Sequence, residues 1–448
     1  MSDRDDSKNG KTWIGGVDGV GKDSGNGSNR GKNPASGDRH ERTSSVELWW
    51  AGRAEQPAVE AGALVEDPEK SHRRCVRGTG GRVGKSGYDN RIIRGDNLPV
   101  LKLLAGELAG RVSCVLIDPP YNRGNTFAQY ADGLEHSTWL FFMRSRLELL
   151  KVLLAENGSL WITVDDTESH YLKVLCDGIL GRGSFVANVV WRKKYTIAND
   201  ARWFSGNHDH VLVYCKNPTR WRPRRLPRTA RMDARYSNPD NDPRGPWKST
   251  PLHAKSGSEK TAGFCYTFAN GVRWSPPPGT FARYSTETLR ELERNNAISF
   301  PRKADGTPRR KSFLADVGDV VAPTVWLDHE VGHNHEAKTE VKAFNGTDVF
   351  ATPKPERLIH RILTLATDPG DLVLDAFAGS GTTGAVAHKM GRRWIMIEIG
   401  THCDTHIHPR LESVVDGRDP GGITGLAGWL GGGGFGYYRF VPSSAERP

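Results

Sequence analysis

At 448 residues the chain exceeds one average domain, so two or three compact units are expected. Hydrophobic residues make up 37% and charged residues 25%, and no run of about 18 apolar residues occurs, which excludes a helical membrane protein and predicts a partly unpacked chain. The formal net charge of +10 suits a polyanionic partner, from whose phosphates Lys and Arg displace counterions, although an anionic membrane surface would suit it equally. Six scattered cysteines without a CxxC pair read as reduced thiols, and the charged, glycine-rich start carries no signal-peptide pattern. A cytoplasmic location is therefore expected.

Residues 1–88 are dominated by Gly, Ser, Asp, Lys and Arg and hold too little apolar surface to offset ordering, so they read as a largely disordered polar tail. An apolar patch at Val46–Trp50 interrupts it. From Arg91 onward strand and helix patterns alternate: a short strand at Arg91–Arg94, a helix over Leu98–Leu108 and a buried strand over Val112–Ile117. A helix over His136–Leu154 follows, then strands at Ser159–Val164, Val186–Trp191 and His210–Cys215. Residues 89–215 form one half of an α/β unit on this reading. Alternation stops over 216–345, a stretch rich in Pro, Arg and Trp that reads as an inserted domain. It resumes over 346–448, with a helix at Lys354–Ala366, a strand at Leu372–Asp375, a helix after Gly381 and a strand at Trp394–Glu398. This alternation predicts a parallel sheet with helices on both faces.

Two turns carry chemistry. In the first, the apolar strand ends at Asp118-Pro119-Pro120-Tyr121. Two prolines fix φ and forbid helical continuation, leaving the Asp118 carboxylate and the Pro119 carbonyl available as acceptors beside an aromatic ring. An aromatic amine needs such a pair, because its lone pair is delocalised and two acceptors on its N–H groups would localise it. In the second turn, Phe377-Ala378-Gly379-Ser380-Gly381 joins a strand to a helix N-terminus, where glycines admit a ligand close to free N–H groups. Glu398, ending the next strand, is placed to accept from ribose hydroxyls. Gly379, Gly381 and Gly384 also fit GxGxxG, so a nicotinamide or flavin enzyme is a rival, but Glu398 stands closer than the usual spacing of about 20 residues.

The two turns together resemble those of S-adenosylmethionine-dependent amino-methyltransferases of DNA in which the catalytic motif precedes the cofactor motif. More narrowly, the chain resembles the adenine-specific modification subunits of type III restriction-modification systems. Further matches are Gly95-Asp96-Asn97-Leu98, His136-Ser137-x-Trp139-Leu140, the segment Arg235–Trp247 and Thr352-Pro353-Lys354-Pro355. The resemblance implies a Rossmann-like class I methyltransferase sheet interrupted by a target-recognition domain. It implies catalysis by Asp118, Pro119, Pro120 and Tyr121, with Tyr121 stacking on a flipped base. Asp375, Phe377, Ala378, Gly379, Ser380, Gly381, Thr382 and Glu398, with Asp96 at the adenine, would bind S-adenosylmethionine. The implied substrate is adenine N6 in double-stranded DNA, and the implied partners are a second copy of the chain and a separate helicase–nuclease subunit.

Cytosine N4 methylation uses the same geometry and is the nearest rival; Asp118, where N4 enzymes more often resemble Ser, leans the reading to adenine. An RNA or protein methyltransferase, and a non-catalytic DNA-binding subunit, are further rivals. The run Arg220, Arg222, Arg224, Arg225, Arg228 and Arg231, interleaved with tryptophans, is expected to contact DNA phosphates. A second basic patch spans Arg302–Lys311. No metal is expected: His402-Cys403-Asp404-x-His406-x-His408 reads as a polar helix start. Two imperfect P-loop patterns, at Gly16–Lys22 and Gly84–Ser86, lack required residues and follow no buried strand.

Overall fold

A computed structural model describes residues 48–74, 90–123, 126–127, 130–131, 134–257, 263–300, 306–346 and 348–444. The two P-loop-like patterns lie outside these residues. Contacts divide the chain after Val46, and all that follows concerns the larger unit, Glu47–Pro448.

Its centre is an 11-stranded sheet. The strands are β1 (Gly62–Glu66), β2 (His72–Arg74), β3 (Arg91–Arg94), β4 (Val112–Ile117), β5 (Leu154–Val164) and β6 (Phe185–Arg192). They continue as β7 (His208–Cys215), β8 (Val325–Trp326), β9 (Leu372–Asp375), β10 (Arg393–Glu398) and β11 (Gly433–Pro442). The spatial order is β1-β11-β3-β10-β9-β4-β5-β7-β6-β8, with β2 pairing β11. From β11 to β5 every pair is parallel, and β7 runs antiparallel between β5 and β6.

Side chains alternate between two apolar faces along each central strand, as the pleat requires. Ile92, Cys114 and Leu116 face one core, Ile93, Val115 and Ile117 the other. The second face is covered by α1 (Asn97–Leu108), α2 (His136–Leu153) and α3 (Ser169–Leu180), through residues such as Leu104, Trp139, Leu147 and Leu172. The first is covered by α4 (Glu356–Ala366), α5 (Thr382–Lys389) and α6 (His408–Val415), through Ile359, Leu363, Val386 and Leu411. The architecture is thus the expected α/β one.

Two boundaries differ from expectation. The polar tail is not structureless up to residue 88: β1 and β2 pair antiparallel with β11, Leu64 opposite Phe440 and His72 opposite Phe435. That pairing partner lies more than 350 residues away, so no local pattern announces it. The insert is also shorter than 216–345. Trp221 and Trp326 pack on Trp161 in the main core, with ring centroids 6.5 and 6.4 Å away, and β8 extends the main sheet beside β6. A separate small core, built on Leu252, Tyr266, Phe268, Trp274, Leu289 and Ile298, forms between them. Around it lie a three-stranded sheet (Trp247–Pro251, Arg309–Phe313, Ile298–Ser299) and two two-stranded antiparallel pairs. Tryptophans in a basic stretch look like surface ligands in a sequence; here burial claims them instead.

Candidate active site

The segments carrying the two turns are interleaved, because β9 and β10 enter the sheet between β3 and β4. Val373 and Leu374 of β9 lie beside Cys114 and Val115 of β4. Both strands run the same way, so the turn beginning at Asp118 and the turn beginning after Asp375 emerge side by side at the carboxyl end of the sheet, where open α/β folds bind ligands. Asp118, Pro119, Pro120, Tyr121, Phe377, Gly379 and Glu398 all line one cavity of about 370 Å³.

The first turn is braced from three directions. Trp139 of α2 donates its indole N–H to the Pro120 carbonyl at 2.9 Å. Thr163, near the end of β5, donates to Asp118 Oδ1. Asn122 takes a left-handed φ of 58° and donates to the buried Glu168 at 2.8 Å. Two cations lie near the Tyr121 ring, Arg123 at 5.5 Å and Lys354 at 5.4 Å from its centroid. Burial, reinforced by Asp118 and Asp209, pushes the Tyr121 hydroxyl well above the usual tyrosine range, so it stays protonated and points to Asp209 Oδ2 at 3.5 Å. Burial also raises the Asp209 carboxyl, against the opposing pull of Lys193 and Lys354, and Lys193 forms an ion pair with it.

The second turn is held by its own carboxylates. Asp375 accepts from Phe377 N at 2.9 Å and from Thr383 Oγ1 at 2.6 Å, and burial pushes its carboxyl up to about 7 despite these bonds. Glu398 accepts from Gly379 N and Gly400 N, each at 2.9 Å. Gly379 and Gly381 adopt φ of 53° and 76°, which suits residues lacking Cβ. Asp375, Ala378, Ser380 and Thr382 do not line the main cavity but an adjoining crevice, which also reaches Asp118 and Lys354. Asp96 lines neither: it caps α1, accepting from Leu98 N at 2.9 Å, and binds Arg146 at 3.1 Å. Its neighbour Asn97 donates to the Ala376 carbonyl at 2.7 Å, so this segment positions the cofactor turn.

One short segment ties the two turns together. Lys354 donates to Asp118 Oδ2. Two residues later, fully buried Glu356 accepts from Lys389 at 2.8 Å and Arg410 at 2.9 Å. Arg410 in turn donates to Thr382 Oγ1 at 2.8 Å and to the Ser380 carbonyl at 3.3 Å.

The expected DNA-contacting arginines are not brought to the cavity. Arg224 pairs with Asp368, which precedes β9, and its N–H bonds the Leu365 carbonyl at 2.9 Å. That is the amino end of the sheet, a strand length of roughly 13 Å from the turns. Arg228 pairs with Asp233 at 2.7 Å, and Arg225 donates to the Asp319 carbonyl at 3.0 Å. Arg220, Arg222 and Arg231 are exposed. In the second patch, Lys311 is buried against Asp240 at 2.6 Å and Asp242 at 3.1 Å. The residues 402–408 diverge: His402 lies 3.0 Å from Glu398, His406 bonds the Asp348 carbonyl at 2.6 Å, and His408 bonds the Lys70 carbonyl at 2.9 Å.

A family model described as DNA methylase (N6_N4_Mtase) matches residues 112–406, which spans both turns. The chain belongs to this DNA methylase family. Over 380 residues it is 31% identical to the type III restriction-modification enzyme StyLTI Mod subunit of Salmonella typhimurium, covering 77% of this chain and 56% of that one. It is 27% identical to the type III enzyme EcoPI Mod subunit of Escherichia phage P1 (67% and 55% covered) and 29% identical to the type II methyltransferase M.EcaI of Enterobacter cloacae (69% and 66% covered). The chain spans about half the length of the type III relatives it matches.

Sequence reasoning missed residues that surround the two turns: Thr163, Asp209, Lys193 and Arg123. Lys354 and Asn97 stood inside matched segments without a role. Their signal is positional, since Thr163 and Asp209 lie on β5 and β7, the strands next in the sheet after β4, at the end from which the Asp118 turn emerges.

Proposed function

We propose that the chain transfers a methyl group from S-adenosylmethionine to N6 of adenine in double-stranded DNA. The observation that carries this reading is the convergence of Asp118–Tyr121 and Phe377–Glu398 on one cavity. Its volume lies in the range of small-molecule sites. A glycine-lined turn, an aromatic wall at Phe377 and a carboxylate at Glu398 suit a nucleoside with ribose hydroxyls. Bound there, S-adenosylmethionine would supply an electrophilic methyl group.

The chain's own residues prepare the nucleophile. Thr163 and Lys354 each occupy one oxygen of Asp118, and a carboxylate offers about four lone-pair sites, so acceptor capacity remains for an amino group. The Pro119 carbonyl supplies the second acceptor, held still by the proline pair and by Trp139 on the next carbonyl. Drawing on both N–H bonds localises the nitrogen lone pair. The Tyr121 ring offers a face on which an extruded base stacks, offsetting an unstacking cost of a few kcal/mol. Among the described residues no cysteine lines the cavity, which accords with direct transfer to nitrogen and not with a thiolate adduct.

Target recognition is assigned to the small core around Leu252 and Trp274, and phosphate contact to the exposed Arg220, Arg222 and Arg231. The partners proposed are duplex DNA, a second copy of the chain and a separate helicase–nuclease subunit, and the location proposed is the cytoplasm. Among the described residues no helix is long and apolar enough to cross a membrane. The test is transfer of labelled methyl from S-adenosylmethionine to unmodified genomic duplex, followed by nucleoside analysis. N6-methyladenine from the wild type and none from Asp118→Ala is the expected result; N4-methylcytosine, or equal label from Asp118→Ala, overturns the reading.

A further inference from the structure

The loop 193–207, between β6 and β7, leaves the cavity wall and carries the densest apolar exposure near the site. Tyr195 is 62% exposed, Ile197 73%, Trp203 79% and Phe204 95%. Large apolar side chains displayed together to this degree mark an interaction surface. The loop is not slack. Lys193 N and Lys194 N both donate to the Asn207 carbonyl, at 2.9 and 3.2 Å. Asn207 Nδ2 donates to the Thr196 carbonyl at 2.7 Å, and Ala198 N to Ser205 Oγ at 2.9 Å. Its stem is fixed to the site itself: Lys193 pairs with Asp209, Asn334 N bonds the Lys193 carbonyl at 3.0 Å, and all three residues line the cavity.

We propose that this loop is a wedge for duplex DNA, with Trp203 and Phe204 entering the base stack beside the extruded base. The inference rests on the reading that the substrate is duplex DNA. Continuity with the cavity favours that occupant, because a base drawn to Tyr121 leaves its partner strand within reach of the loop. The charges also favour it: Lys194 and Arg202 are exposed beside the aromatics, with the Arg202 guanidinium 4.9 Å from the Trp203 ring, and Asp200 is the one exposed carboxylate of the loop. Apolar side chains inserted between base steps lower the cost of opening a pair, and a braced loop loses little entropy in doing so.

The experiment compares wild type with the double variant Trp203→Ser, Phe204→Ser. The modified site is first mapped by sequencing wild-type-treated DNA, and two oligonucleotide duplexes are then made. One pairs the target adenine normally; the other places it opposite an abasic position, where opening needs no help. The expected result is a loss of about ten- to a hundred-fold in transfer to the paired duplex, unchanged cofactor binding by calorimetry, and recovery on the abasic duplex. Unchanged transfer to the paired duplex overturns the proposal, as does an equal loss on both. A wild-type dimer that the double variant dissociates assigns the patch to a second copy and overturns it too. A wild type that methylates no DNA fails the functional reading instead.

Discussion

Lys354 and Asp118, 236 residues apart in the chain, form an ion pair in the wall of the cavity that both turns line. The cation sets the orientation of the carboxylate without consuming its acceptor capacity. Lys354→Met is expected to lower single-turnover transfer by about 100-fold, the scale of a small misplacement of a reacting group. Cofactor affinity should stay within about threefold, since the lysine acts on the amine-binding side. Rapid-quench kinetics with parallel calorimetry reads both, and Lys354→Arg should recover part of the rate. A variant at wild-type speed removes the positioning role.

Tyr121 offers a ring and a hydroxyl, and only the ring is expected to matter to substrate. Its hydroxyl contact to Asp209 is long, at 3.5 Å. Tyr121→Phe should methylate DNA at close to the wild-type rate. Tyr121→Ala should raise the KM for DNA by about tenfold or more, the worth of one lost stacking contact of about 1–3 kcal/mol.

Gly381 has φ of 76°, and a Cβ there would lie 3.2 Å from Ile407 Cγ2 and 3.3 Å from the Ile407 Cα. An L side chain in this conformation costs about 1–2 kcal/mol before any contact is counted. Gly381→Ala is therefore expected to lower the melting temperature and to weaken S-adenosylmethionine binding. Calorimetric titration showing wild-type affinity would mean that the turn tolerates the shift.

Arg410 sits between Glu356 on one side and the Ser380 carbonyl and Thr382 hydroxyl on the other, all buried. Removing one partner of a buried charge network costs about 3–5 kcal/mol, because the remaining charge loses its compensation. Arg410→Met should show that loss in urea denaturation. Lys389, which also holds Glu356, sets a lower limit on how far the network collapses.

Burial, and then the neighbouring Glu356, pushes the Glu340 carboxyl up to about 8. An unfolded glutamate releases its proton near pH ~4, so between there and about pH 8 the folded chain holds a proton that the unfolded chain has lost. The stabilising contribution is complete at low pH and disappears as pH rises through the folded value. Glu340→Gln should have a melting temperature that falls less than the wild type's from about pH 5 to 8. Parallel pH profiles for the two proteins would contradict this assignment.

Much of the site was legible because it is written in local geometry. A strand that ends at Asp118-Pro119-Pro120-Tyr121 and one that ends in a glycine turn each declare their chemistry within a few residues, and the structure puts both in one cavity. Asp96 was less legible for the opposite reason. Its segment matched a motif, and in the structure Asp96 caps α1 while its neighbour Asn97 holds the glycine turn through the Ala376 carbonyl. The arginines 220–231 were legible as charge and not as place, since position relative to the site depends on the strand they follow.

By itself the sequence determined the alternating α/β pattern, the two chemical turns, their order and the family they resemble. Hydrophobic period and turn chemistry act over a handful of residues, so a linear reading captures them. Only the tertiary structure decided that β9 and β10 slot between β3 and β4, that β1 and β2 pair with β11, and that Lys354 reaches Asp118. Those contacts join residues hundreds of positions apart, and which distant strands become neighbours is settled by packing both apolar faces of the sheet together.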